Sequence, residues 1–235
     1  MSIDPLAEKY TYNSPYAFAE NRVIDGRELE GLEWANIKNN DGTTTRQLTV
    51  QMVNNSSLSD KQVNKTITTM QKDFAKTYSG EGSNAKLVVQ QVSSDDGSCG
   101  VTVTLTDVKS NTTYDSTGNV SGVIYPGGQT ATLGQTQKNS FEVTATVDGQ
   151  SRSKSEMSRS FSHEAGHTAG LEHPWTPTNT VSDIKQGTST VKSSTVTSNI
   201  MNSDQNTDVT NRGTSGTSTT SGQLKSMDAL INQQQ

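Results

Sequence analysis

Residues 161–175 read FSHEAGHTAGLEHPW, and this stretch holds all three histidines of a 235-residue chain. His163 and His167 are four apart, so on a helix their rings project about 40° from one another and can share one metal ion. The same helix turns Met157, Phe161, Ala165 and Thr168 to the opposite side. A helix over about Lys154 to Gly170, with an apolar back and a ligand front, is therefore expected. Gly170 can adopt the left-handed conformation that ends a helix, and the chain can then return His173 toward the metal. Three neutral imidazoles at about 2.0–2.1 Å leave one position open, the layout of a catalytic rather than a closed structural zinc ion. Glu164, between the ligands, is placed to take a proton from attacking water and pass it to a leaving amine. The blander reading, a helix with surface histidines, must treat the spacing, Glu164 and Gly170 as coincidences.

Working outward, residues from about Arg46 to Gly149 read as strands around one helix. Leu48, Val50 and Met52 alternate with Thr49 and Gln51, as a half-buried strand should. Ser59 is the expected N-cap of a helix whose apolar stripe is Val63, Ile67, Met70 and Phe74, with Gly80 and Gly82 as stop signals. Strands are expected at 86–92 (KLVVQQV), 100–108 (GVTVTLTDV) and 141–147 (FEVTATV). In the second, Val101, Val103 and Leu105 face one way and Thr102, Thr104 and Thr106 the other. Between them, 109–139 is a Gly-, Asn- and Thr-rich excursion with one edge strand near Val120–Tyr125. Residues 176–220 are almost wholly polar, interrupted by Ile200–Met201. A last helix is expected from Ser221, with Leu224, Met227, Leu230 and Ile231 on one side.

Composition narrows the classes. Only 29% of residues are hydrophobic and 18% charged, with a net charge of -5. No run of Lys and Arg offers a phosphate-binding stripe, so nucleic acid is not an expected partner. No stretch of about 18 apolar residues is present, so no transmembrane segment is expected. The first 22 residues lack the apolar region of a secretory signal. Cys99 is the single cysteine, which excludes an internal disulfide framework and any multi-cysteine zinc site. Asp183, Asp204 and Asp208 lie in polar loops where a Ca2+ ion is conceivable, but their spacing matches no calcium loop.

HEAGHTAGLEH resembles the zinc signature of the metzincin superfamily at every fixed position. Ile200–Met201–Asn202, in SNIMNSD, resembles that family's Met-turn, in which Met201 would be an apolar floor beneath the histidines. The resemblance implies an α+β fold: a twisted mixed sheet with two helices, of which the second carries the site, then the Met-turn and a C-terminal helix. It implies one catalytic Zn2+ held by His163, His167 and His173, with Glu164 as general base and a protein or peptide as substrate. Two departures blur the subfamily. Ser203 stands where astacin-like and serralysin-like members have a tyrosine, and Pro174 follows His173 where reprolysins have an aspartate.

Residues 4–32, DPLAEKYTYNSPYAFAENRVIDGRELEGL, resemble the end of the Rhs-repeat-associated core, best over Asp4–Tyr10 and Ser14–Tyr16. That divides the chain into a 1–34 leader and a 35–235 metalloprotease-like domain. In Rhs proteins the segment after the core is often a toxin delivered to another cell. By that analogy residues 35–235 are a secreted or injected protease effector, with a cognate immunity protein as partner. A housekeeping secreted protease that acquired an Rhs-type leader is a second reading. A non-catalytic surface or adhesion module, with the Thr-rich sheet as its binding face, is a third.

Overall fold

The computed structural model describes residues 34–95, 100–109, 111–114, 120–124, 128–131 and 139–234. Residues 1–33, with nearly all of the expected leader, and Cys99 lie outside the described residues. Trp34, the last residue of that leader, is instead the first residue of a strand and belongs to the core.

The main sheet comprises β1 (Trp34–Lys38), β2 (Thr44–Asn55), β3 (Ser83–Val92), β4 (Val101–Val108), β7 (Gly128–Ala131), β8 (Asn139–Val147) and β9 (Gln150–Ser151). β5 (Asn111–Tyr114) and β6 (Val120–Ile124) form a separate antiparallel pair. β2 is the organising strand. It pairs in parallel with β3 along its length, with β4 over its second half, and antiparallel with β1 over its first half. β8 continues the parallel order beyond β4, and β7 closes that side as an antiparallel strand. The sheet is thus mixed, and the chain is α+β.

Register explains the core. Val50 and Val101 lie abreast, and the next row on that face is Met52, Val103 and Phe141. This apolar face is covered by α1 (Asp60–Tyr78) and α2 (Lys154–Thr168), which also pack on each other. Phe74 of α1 meets Phe161 of α2 at 6.3 Å between ring centroids, and Phe161 meets Phe141 of β8 at 5.5 Å. The opposite face departs from the simple alternation. Gln51, Thr102 and Thr144 on it are buried too. A largely parallel sheet is commonly covered on both sides.

The polar stretch after Pro174 is more structured than its composition suggests. It contains α3 (Ser193–Ser198) and a 3-10 turn (Val209–Asn211), and it buries Ile184 and Val196. The last helix, α4 (Ser221–Gln234), buries Leu224, Met227 and Ile231. Leu230 of that helix packs close to Gly170 at the end of α2. Among the described residues, no helix is long and apolar enough to cross a membrane.

Candidate metal centre

α2 is held at both ends by its own sequence. At its start Ser153 and Glu156 form a reciprocal capping box, each side chain bonding the other's backbone N–H. At its end Gly170 has φ +74°, a conformation that costs a side-chain-bearing residue dearly. The N–H of Gly170 donates to the His167 carbonyl and that of Leu171 to the Gly166 carbonyl, a Schellman closure. The chain therefore reverses immediately after the helix and brings His173 back over it.

The outcome is a cluster. His163, His167 and His173 each offer a ring nitrogen, and these atoms lie within 4.8 Å of one another. It is the one such metal-competent group among the described residues. Nδ1 of His163 lies 2.8 Å from the Ile200 carbonyl oxygen, and Nδ1 of His167 lies 2.8 Å from that of Leu171. A carbonyl can only accept, so both Nδ1 atoms donate, which leaves Nε2 as the nitrogen each ring can offer a metal. Nε2 of His163 is 3.2 Å from Nε2 of His173. Two nitrogens about 2.0–2.1 Å from a common tetrahedral ion would be about 3.3 Å apart, so this spacing suits zinc.

Protonation favours the same chemistry. Burial, aided by the neighbouring His167 and Arg159, pushes the His163 imidazole down to about 3 and the His173 imidazole to about 4. Both rings are neutral at neutral pH, the form that binds metal. Glu164 follows His163 on α2 and is buried, 7% exposed.

Beneath the histidines, Asn199–Asn202 form a turn closed by the Asn202 N–H donating to the Asn199 carbonyl. Met201, within that turn, is fully buried, and its sulfur lies against Gly166, between the two helical histidines. Several supporting residues carry no mark in the sequence reading. Arg159 donates to the Ile200, Asn202 and Gly216 carbonyls. Burial lowers this guanidinium to about 10, so it is still a cation at neutral pH. Tyr78, whose phenol burial pushes well above its ordinary range, donates from α1 to the Ser162 carbonyl. Trp175 stacks on His173. Arg159 was findable in principle, standing one helical turn before His163, and Trp175 stands two residues after His173. Nothing in the sequence points to Tyr78.

The loop acids have other employment. Asp183 accepts from Thr220 Oγ1 and the Gly222 N–H at the start of α4. Asp208 caps the 3-10 turn through the Thr210 N–H. Neither joins a cluster of potential metal ligands among the described residues.

No protein-family model matches the chain, and no curated protein matches it.

Proposed function

We propose that the chain is a zinc-dependent endopeptidase of the metzincin type. The observation that carries this reading is the convergence of three imidazoles, two of them locked through Nδ1 onto backbone carbonyls so that Nε2 faces the common centre. Such fixed tautomers are typical of metal-binding histidines. When bound there, zinc supplies a Lewis acid that polarises a scissile carbonyl and makes water acidic enough to attack it. Glu164 accepts the proton of the attacking water and delivers it to the departing amine. Met201 gives the histidines an apolar, water-free floor.

The substrate would be an extended polypeptide. The cleft-flanking strand is expected within residues 109–139, and β7 is the strand of that range that joins the main sheet, at its end and packed against α2. A terminal strand offers main-chain groups to which a peptide can add. The adhesion reading fits less well, since Thr102 and Thr144 on the would-be binding face are buried. The effector role rests on the Rhs-like wording of residues 4–32, and a neighbouring immunity gene would favour it over a housekeeping protease.

The test is proteolysis of unfolded casein by the purified chain, with and without chelator, beside Glu164→Gln. Cleavage that zinc restores and that the variant lacks, while still binding zinc, is the expected result. Absence of zinc binding by the wild type would overturn the reading.

A further inference from the structure

The three histidines are not held alike. His163 and His167 stand on α2, and a backbone carbonyl receives each Nδ1. His173 lies in the loop beyond α2, and among the described residues no carbonyl receives its Nδ1. Its main chain is well tied, since its carbonyl accepts from the Thr176 N–H at 3.1 Å and from Asn179 Nδ2 at 3.3 Å. Asn179 is buried and its Oδ1 accepts from the Val181 N–H. The next residue, Pro174, accepts from the Gln186 N–H at 2.7 Å. These bonds fix where His173 begins but not how its ring is turned.

The ring is turned by an indole. The His173 and Trp175 rings are stacked with centroids 4.5 Å apart and planes 7° from parallel. Of the three imidazoles, it is the one that lies face to face with an aromatic side chain: His163 and His167 meet their neighbours edge-on or tilted. In this pose Nε2 of His173 faces Nε2 of His163.

We propose that Trp175 is the positioning residue of the third ligand. Its flat face sets the plane in which His173 offers Nε2, doing by stacking what the Ile200 and Leu171 carbonyls do for the helical pair. An imidazole free to rotate would have to be ordered by the ion itself, and that cost would appear as lost affinity. Trp175 is only half-buried, so truncating it leaves the apolar core intact. The inference rests on the metal-centre reading, and its test separates the two.

Full-length protein, stripped of metal, is titrated with cobalt(II) and with zinc against a competing chelator, following the visible absorption of the cobalt form. The variants are Trp175→Ala, Trp175→Leu and Trp175→Phe. Alanine is expected to weaken both metals roughly 10–100-fold, the effect of losing a residue that orients a ligand. Its cobalt spectrum should lose the intensity of a four-coordinate ion. Phenylalanine, which keeps a flat face, should restore both affinity and spectrum, whereas leucine, which keeps only bulk, should not. Wild-type affinity and spectrum in Trp175→Ala would overturn the proposal, and so would full rescue by leucine. A wild type that binds neither metal would instead overturn the metal centre itself.

Discussion

Nδ1 of His163 lies 2.8 Å from the carbonyl oxygen of Ile200, so the imidazole on α2 and the turn carrying Met201 form one hydrogen-bonded unit. Arg159, one turn earlier on α2, donates to that same carbonyl at 3.0 Å. It also reaches the carbonyls of Asn202 and Gly216, so one cation ties three points of the 200–216 loop to the helix. Hydrogen bonds to a charged group contribute about 1.5–3 kcal/mol each, and buried carbonyls left unpaired add a penalty. Arg159→Met should therefore destabilise the metal-free protein by at least about 4 kcal/mol, read from urea unfolding. It should also weaken zinc, because the carbonyl that orients His163 is no longer anchored. Unchanged zinc affinity in a folded variant would show that the turn holds its place without the arginine.

Gly166 poses a contest between propensity and packing. Alanine in a helix interior is favoured over glycine by about 0.5–1 kcal/mol. Here an added Cβ would lie 2.5 Å from the Met201 sulfur and 2.9 Å from the Tyr78 hydroxyl oxygen. Both side chains are fully buried, and Tyr78 is held by its bond to Ser162. Overpacking of this kind costs about 1–3 kcal/mol, so it outweighs propensity. Gly166→Ala should lower the thermal midpoint, and the loss should shrink in a Met201→Ala background, where the sulfur is gone. Additive effects of the two changes would sink this account.

How much of this could be read from the sequence follows from how local each feature is. α2 and its histidines are legible because the helical spacing of His163 and His167, the stop at Gly170 and the returning His173 all fall within eleven residues. β2, β4 and β8 are legible from alternation, since Val50, Val103 and Val143 each sit between polar neighbours or point to one face. β1 is not, because in Trp-Ala-Asn-Ile-Lys only Trp34 is buried. α3, Ser-Ser-Thr-Val-Thr-Ser, consists almost wholly of weak helix formers and buries Val196 alone. The carbonyls that meet Arg159 and His163 come from a loop 37 to 57 residues further on. No periodicity encodes such contacts.

Arg46 is a fully buried cation, with no exposed side-chain surface, and its fork lies on Asp228 of α4 at 2.6 and 2.7 Å. Its remaining arm donates to the Tyr78 and Gly80 carbonyls, so β2, the end of α1 and α4 meet at one guanidinium. Removing one partner of a buried pair costs about 3–5 kcal/mol. Asp228→Ala should fall near the lower limit, since the Asp228 side chain is 26% exposed and water can partly replace it. Lys225→Ala is the control: its pair with Glu81 lies at the surface, screened by water, and should contribute little. Equal losses in the two variants, by urea unfolding, would contradict the burial argument.

The capping box at the start of α2 gives stability a pH dependence. The Ser153 side chain, and then its backbone N–H, hold the Glu156 carboxyl below its ordinary value of 4.5. A carboxyl whose pKa is lower in the folded state contributes its stabilisation in full above 4.5 and loses it as pH falls through the folded value. Glu156→Gln should thus be less stable than the wild type at neutral pH. The gap should narrow as pH falls below 4.5, the ordinary value. Ser153→Ala should cost about 1 kcal/mol through the lost cap. In that background the Glu156 substitution should have a smaller effect, because the hydroxyl that does most to lower the carboxyl's pKa is gone and only the backbone N–H remains. The measurement is the urea midpoint of the four proteins from neutral pH down through and below 4.5, the carboxyl's ordinary value. A Glu156→Gln deficit that stays constant across that range would mean that the charge contributes nothing, and that the glutamine side chain merely packs less well at the helix start.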